Sequence, residues 1–294
     1  MNFWGWLLVF LGAAAVVMGV AAAVDKPKSI YSDRPEEKNP FEGKKVVFVP
    51  NESDPVNADG ERGHLAVASD QPNPVSSSVY VRFTKRALDL ILSFFAMVVL
   101  SPLLLILSLA VYLDDPGPIF FTQKRIGKNK RYFVLHKFRS MKLSTPHDVP
   151  THMLENPESY LTRTGKLLRT MSLDELPQLW DIFIGNMSLV GPRPGLWNQD
   201  LLTACRDEYG ANEVTPGLTG WAQVNGRDEL AIEEKARLDG EYCRNITLKM
   251  DVTCVIMTIV NVLKHKGVIE GGTGAMEKFI ANRRKEIEEN TKKS

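Results

Sequence analysis

Cysteine is scarce in this sequence. Three cysteines in 294 residues (Cys205, Cys243, Cys254) share no metal-ligand spacing and are odd in number. That excludes a disulfide framework and a zinc module and points to a reducing compartment. Neither G-x-x-x-x-G-K-[ST] nor G-x-G-x-x-G occurs, so P-loop ATP hydrolysis and dinucleotide binding have no motif support. An excess of one charge is missing as well: 36 Lys and Arg against 35 Asp and Glu leave a net charge of +1. The chain as a whole therefore carries no nucleic-acid or acidic-tail signature. With 24% charged and 44% hydrophobic residues it is neither largely disordered nor a polytopic transporter. No internal repeat is found.

Two long runs lack charge altogether. Phe3 to Val24 holds 22 residues, which at about 1.5 Å each span roughly 33 Å, the thickness of a bilayer's hydrocarbon core. Trp4 and Trp6 stand where an interfacial aromatic belt would be, and Lys26 and Lys28 follow the run. A cleaved signal peptide is the rival, with Ala21-Ala22-Ala23 as small residues. The run is long for a signal, however, and no basic residue precedes it. The reading is an N-terminal membrane anchor over 1–24 with the rest of the chain cytoplasmic. From 25 to 80 the composition turns to Pro, Asp, Glu, Asn, Ser and Gly, and a largely unstructured tether is expected. Lys44 to Val49 is its one candidate strand.

The second uncharged run is Leu90 to Leu113. Ser101-Pro102 in its middle removes a backbone donor and predicts a break or sharp kink. Arg82, Lys85 and Arg86 precede it, and Lys124, Arg125, Lys128, Lys130 and Arg131 follow. A straight span would strand one basic cluster on the wrong side, whereas a helix that enters, bends and returns keeps both cytoplasmic. On these residues alone the re-entrant and spanning forms both stand.

Beyond Asp114 the pattern is globular. Ile119 to Gln123 and Arg131 to Leu135 read as a hairpin around Gly127 to Lys130. Tyr160 to Thr170, Glu175 to Gly185 and Glu229 to Arg244 read as helices, as does Lys249 to His265, whose apolar surround suits a membrane face. The charged segment 275–294 reads as a solvated helix or tail.

Between Thr122 and Thr170 eleven Lys or Arg face three acids, a local excess that suits an anionic ligand or anionic lipid headgroups. A solvated basic face would explain it equally well. Nucleic acid is not expected as a partner, because no recognition motif accompanies the charge. Arg169-Thr-Met-Ser-Leu-Asp-Glu-Leu-Pro-Gln178 follows. Ser172 and Glu175 have capping-box spacing and predict a helix start, which would put Asp174 and Glu175 at the positive end of the helix dipole. Structural capping accounts for such acids by itself. If they act in chemistry, their divergence by about 100° on a helix suits two separate tasks, a nucleophile or metal ligand beside a second function. Arg193, bracketed by Pro192 and Pro194, is a held guanidinium fit for a phosphate, or an ordinary exposed turn residue. Pro216 to Arg227 is a Gly-rich loop whose backbone amides can approach a ligand closely.

Taken in order, several motifs resemble those of the bacterial sugar transferase family, specifically its monotopic polyprenyl-phosphate phosphoglycosyl transferases. They are Lys85-Arg86-Ala-Leu-Asp89, the Ser101-Pro102 run, Lys137-Phe-Arg-Ser-Met141, Ser172 to Gln178, Val190-Gly-Pro-Arg-Pro194, Pro216-Gly-Leu-Thr-Gly220 and Leu238-Asp239 with Tyr242. The resemblance covers about Tyr80 to Gly274. It implies transfer of a phosphosugar from a UDP-sugar to a polyprenyl (undecaprenyl) phosphate at the cytoplasmic face of the inner membrane, with UMP released and Mg²⁺ required. Such a step begins the assembly of capsule, exopolysaccharide or O-antigen.

By the same resemblance Asp174 is the nucleophile that becomes a phosphosugar acyl phosphate, and also the protein ligand near Mg²⁺. Glu175 positions or deprotonates the lipid phosphate, Arg169 and Arg193 bind substrate phosphate, and Asp239 is a further active-site acid. Lys85, Arg86 and Asp251 are structural, with Ser101 and Pro102 forming the bend. The implied fold is α+β: a mostly helical monotopic membrane domain at 81–274 with a re-entrant helix at about 85–113 and a small β-hairpin, preceded by the anchor. One anchor plus a tether matches neither the smallest nor the largest family members. An ordinary glycosyltransferase releasing UDP lacks support, since no Rossmann-like βαβ series is visible. A non-catalytic lipid-binding scaffold is opposed by the intact Asp174, Glu175 and Arg193. The sugar is unassigned, and a homo-oligomer is left open.

Overall fold

The computed structural model describes residues 38–73, 78–145, 157–226 and 230–263, and the chain is mixed α+β. The N-terminal run and the charged segment 275–294 lie outside the described residues.

One wide helical turn, Tyr80–Thr84, leads into α1, Lys85–Asp114. Its 30 residues are uncharged except near the ends, with Ser93, Ser101 and Ser108 turned inward. The expected break at Ser101-Pro102 is not a break, because helix is continuous across it. Proline leaves the carbonyl four residues earlier, that of Val98, without its helical donor. The Ser101 hydroxyl supplies one, donating to Val98 O at 2.8 Å. One side of α1 packs inward, where Leu107 and Val111 meet Phe138 and Leu168. Nearer its start, Ala96, Met97 and Leu100 meet Leu135, Leu179 and Ile182. The other side leaves Phe95, Val99, Ile106 and Leu113 exposed. Such a long uncovered apolar stripe is rare on a protein bathed by water alone. By length and composition this is the one described helix able to cross a membrane.

Both ends of α1 are fixed to the same folded body. At the start, Lys85 Nζ lies 2.6 Å from Asp251 Oδ2. Arg86 donates to the carbonyls of Ile182 and Phe183, and Asp89 accepts from the Leu189 amide. At the far end Asp114 accepts from the Thr164 amide, and Asp115 pairs with Arg139.

The hairpin follows as β3, Phe120–Ile126, and β4, Tyr132–Phe138, antiparallel from Phe120↔Phe138 to Ile126↔Tyr132. It runs three residues beyond each segment read from the sequence, because charged residues fill pleat positions that apolar periodicity overlooks. Then come α2 (Arg163–Thr170), α3 (Gln178–Ile184), β5 (Ser188–Val190), α4 (Asp200–Tyr209), β6 (Gly217–Thr219), α5 (Trp221–Val224), α6 (Ile232–Arg244) and α7 (Leu248–Leu263). Strands β5 and β6 pair in parallel. Gly191 and Gly217 meet there so closely that a Cβ on Gly217 would overlap the Gly191 backbone. Their amides bond to Thr219 O and Pro192 O. At these glycines the Gly-rich loop is a packing device rather than an open amide cradle. The three cysteines are free and buried.

The tether expectation is corrected over 38–73. Strands β1 (Lys45–Pro50) and β2 (Gly63–Ser69) form a second antiparallel hairpin that docks on α4. Val46, fully buried, and Leu65 pack with Ala204. Composition misled here because the segment has few apolar groups of its own and leans on polar anchors from elsewhere. Asp207 Oδ2 accepts from the Val46 amide at 2.7 Å, and its other oxygen pairs with Lys130 Nζ at 2.8 Å. Lys130 and Glu213, 3.4 Å apart, are both fully buried. Lys130, counted in the basic excess, thus serves the core rather than an external anion.

Candidate active site

Asp174 and Glu175 sit in a single 3-10 turn, Leu173–Glu175, between α2 and α3. The expected capping box is absent. Ser172 is left-handed (φ 55°, ψ 24°) and its side chain makes no cap bond. A helix N-cap needs extended backbone, whereas here a left-handed residue turns the chain sharply out of α2. Such a conformation costs about 1–2 kcal/mol outside glycine. It brings the acidic turn against the β3–β4 hairpin, where strand alternation places Arg125, Leu135 and Lys137 on one face. Leu135 packs on Leu179 and Ile182 of α3, so Lys137 on the same face reaches Glu175.

The two carboxylates differ sharply. Glu175 Oε1 accepts from Lys137 Nζ at 2.8 Å and from Arg193 at 2.7 Å. Burial alone would raise its pKa, but Arg193 and Lys137 overcome that and hold it well below the usual carboxylate range. Asp174 is 8% exposed, and among the described residues its carboxylate makes no hydrogen bond or ion pair. Burial therefore raises its pKa, with Lys137 and Arg169 acting against the rise and Glu175 adding to it. One carboxylate is pinned and ionised, and its neighbour is left with open lone pairs.

Arg193 is set by the hairpin edge. The Ile126 amide donates to Gly195 O at 3.0 Å, and Arg125 donates to Pro194 O at 3.1 Å. Burial, then the charge of Arg193, push Arg125 down to about 9, still cationic at neutral pH. Arg169 lies on the Asp174 side and donates to Ser140 Oγ at 2.9 Å. Four cations (Arg125, Lys137, Arg169, Arg193) thus act on two carboxylates. Two positive charges remain in excess, which is the electrostatics of an anion site.

Of the residues singled out from the sequence, the structure brings together Asp174, Glu175, Arg169 and Arg193. Asp239 is elsewhere, nearly fully buried. It accepts two hydrogen bonds from Arg206 and makes none to the acidic turn. Lys85 and Asp251 join with the Tyr80 and Tyr242 hydroxyls, each 2.7 Å from Asp251, to tie the start of α1 to α6 and α7. Arg86 satisfies carbonyls at the end of α3. Lys137, quoted within the motif Lys137 to Met141, and Arg125, counted in the basic cluster, were given no site role, although their alternation along the hairpin was a signal that could have marked them.

Among the described residues no cluster of three His, Cys, Asp or Glu could enclose a metal. Mg²⁺ usually takes one or two carboxylates together with substrate phosphates. The open Asp174 carboxylate fits that half-site, while Glu175 is already occupied by two cations.

Residues 80–265 match the Bacterial sugar transferase family. The chain is 40% identical over 185 residues to the undecaprenyl-phosphate glucose phosphotransferase of Komagataeibacter xylinus, covering 60% of this chain and 35% of that protein. It is 35% identical over 211 residues to the UDP-glucose:undecaprenyl-phosphate glucose-1-phosphate transferase of Xanthomonas campestris pv. campestris, covering 69% and 44%. With the uncharacterized sugar transferase EpsL of Bacillus subtilis (strain 168) it shares 37% over 199 residues, covering 67% and 96%. The chain therefore spans less than half the length of the first two relatives.

Proposed function

Because the chain belongs to the bacterial sugar transferase family, we propose that it moves a sugar-1-phosphate from a UDP-sugar to undecaprenyl phosphate, beginning a surface polysaccharide or related glycoconjugate. The observation that carries the reading is the asymmetry of the acidic turn, a pinned Glu175 beside an Asp174 that has no partner among the described residues. The named activities of the Komagataeibacter and Xanthomonas relatives supply the substrate classes.

The chemistry runs in two displacements at one phosphorus. The Asp174 carboxylate attacks the phosphorus that bears the sugar. The bond from that phosphorus to the bridging oxygen breaks, and UMP leaves with the electron pair. An oxygen of the lipid phosphate then attacks the same phosphorus and Asp174 departs as a free carboxylate. Splitting the exchange through a covalent intermediate avoids bringing two phosphate anions together at once. Arg193, Lys137 and Arg125 offset the charge of the diphosphate, and fixed cations in a partly dry site act more strongly than in water. Glu175 is a weak base when two cations hold it ionised, so positioning Arg193 and Lys137 is the role it fits. When bound, Mg²⁺ would neutralise diphosphate charge beside Asp174.

The membrane arrangement proposed is re-entrant, at the cytoplasmic face of the inner membrane, with the bend made as a proline kink at Ser101-Pro102 within continuous helix. In its favour, both ends of α1 hold to one folded body while one side stays apolar and exposed. A helix crossing the bilayer would separate those ends.

The test is the nucleotide product. Solubilised protein incubated with a panel of UDP-sugars, undecaprenyl phosphate and Mg²⁺ should release UMP, and Asp174→Asn should release none. Release of UDP would overturn the mechanism in favour of ordinary glycosyl transfer. Neither product from folded protein across the panel would leave a lipid-binding scaffold as the better account.

A further inference from the structure

Gln178 opens α3 and is 2% exposed. Its side-chain nitrogen is buried without a partner, and its carboxamide makes no hydrogen bond to any described residue. Leaving such a group dry and unpaired destabilises the fold, and an apolar side chain of similar size would avoid the cost.

Its position explains what it is kept for. Leu176 (φ −57°, ψ −34°) and Pro177 (φ −60°, ψ −20°) continue the helical path from the acidic turn into α3. The bonds Leu176 N to Leu173 O, Leu179 N to Leu176 O and Trp180 N to Pro177 O are all three-residue steps. At three residues per turn, positions i and i+3 eclipse, so Gln178 stands one turn behind Glu175, on the same face. On that face Glu175 holds Lys137 and Arg193, which leaves the Gln178 carboxamide without a partner among the described residues. The ligand that the local charge selects is an anion rich in acceptor oxygens, and the group lacking a partner offers two N–H donors.

We propose that Gln178 is a substrate-positioning residue whose carboxamide donates to a phosphoryl oxygen of the nucleotide-sugar diphosphate. The inference rests on the function proposed above. The carboxamide adds a neutral, directional contact to an otherwise ionic site, and orients the phosphorus toward Asp174 without altering the charge balance.

The test is Gln178→Met, close in volume and without donors, with Gln178→Asn as the shorter amide. Steady-state UMP release is measured for each together with thermal unfolding. Gln178→Met should unfold at the wild-type temperature or above, since an unpaired polar group is gone. Its kcat/KM for UDP-sugar should fall roughly 10- to 100-fold, the loss of one hydrogen bond to a charged group. Gln178→Asn should lie between the two. UDP-sugar should raise the unfolding temperature of the wild type more than that of Gln178→Met. Unchanged kcat/KM in Gln178→Met, or a lower unfolding temperature with normal specific activity, would overturn the proposal. If Gln178→Met does not fold, a Gln178→Asn variant as stable and as fast as wild type overturns it instead. Wild-type protein that releases no UMP would count against the proposed function itself, a separate failure.

Discussion

Replacing Lys137 by Met and Glu175 by Gln should move the acid limb of the first half-reaction in opposite directions. Asp174 must be ionised to attack, so its rate falls as pH drops through its raised pKa. Lys137 is the largest charge lowering that pKa, and Glu175 the charge that raises it. Lys137 Nζ lies 2.8 Å from Glu175, and Asp174 is the neighbouring residue in the same 3-10 turn. Between charges about 5–8 Å apart at an effective dielectric of about 20, Coulomb's law gives about 2–3 kcal/mol, which solvent screening reduces. Each variant should therefore move the limb far enough to resolve in a pH–rate profile. Lys137→Met should shift the limb to higher pH and Glu175→Gln to lower pH. The assay is single-turnover UMP release without lipid acceptor, from about pH 4.5 to 8, in which the substrate's own titration cancels between variants. Shifts of the same sign in both, or none in either, would refute the assignment of the limb to Asp174.

Other expectations follow from the same contacts. Asp59 accepts from the Leu202 amide and from Gln199, and burial raises its pKa to about 6. A raised carboxylate contributes stability that is complete below pH 3.8 and lost as pH rises to about 6, a span worth ~3 kcal/mol. Asp59→Asn should flatten the denaturation midpoint over that window, and an unchanged pH profile would contradict docking of the β1–β2 hairpin. Lys130→Met should destabilise the fold by about 3–5 kcal/mol by leaving Asp207 and Glu213 buried without their cation. An unfolding temperature within a degree or two of wild type would contradict the triad. Ser101→Ala should lower the unfolding temperature in detergent by the equivalent of about 1 kcal/mol, since the Val98 carbonyl loses its donor. If Ser101→Ala and Ser101→Thr behave alike, the hydroxyl is not serving that carbonyl.

What was legible in the sequence was what local chemistry determines. The apolar run of α1, the β3–β4 hairpin and the helices α6 and α7 follow from periodicity and lack of charge. Asp174, Glu175, Arg169 and Arg193 were legible because ordered motifs carried them. Contacts distant in sequence were not. Asp207 reaches Val46 across 161 positions and Asn73 across 134, so a polar stretch that reads as a tether becomes a docked hairpin. The Ser172 to Glu175 spacing matched a capping box, yet the left-handed Ser172 uses the same residues to make a turn. Pro102 read as a break or a sharp kink, and the break does not occur because its neighbouring serine, which the pattern did not credit, serves as a substitute donor. Lys137 and Lys130 look alike in a charge count, and only tertiary placement separates the lysine at the acidic turn from the one in the core.

The central claim is covalent chemistry at Asp174, and intact-protein mass spectrometry tests it most directly. Protein incubated with the productive UDP-sugar and Mg²⁺, without lipid, should gain the mass of one sugar-1-phosphate as one equivalent of UMP appears. The adduct should map to the peptide carrying Asp174 and vanish on addition of undecaprenyl phosphate, and Asp174→Asn should never acquire it. An active wild-type enzyme that gains no mass, or gains it on another residue, would contradict the account.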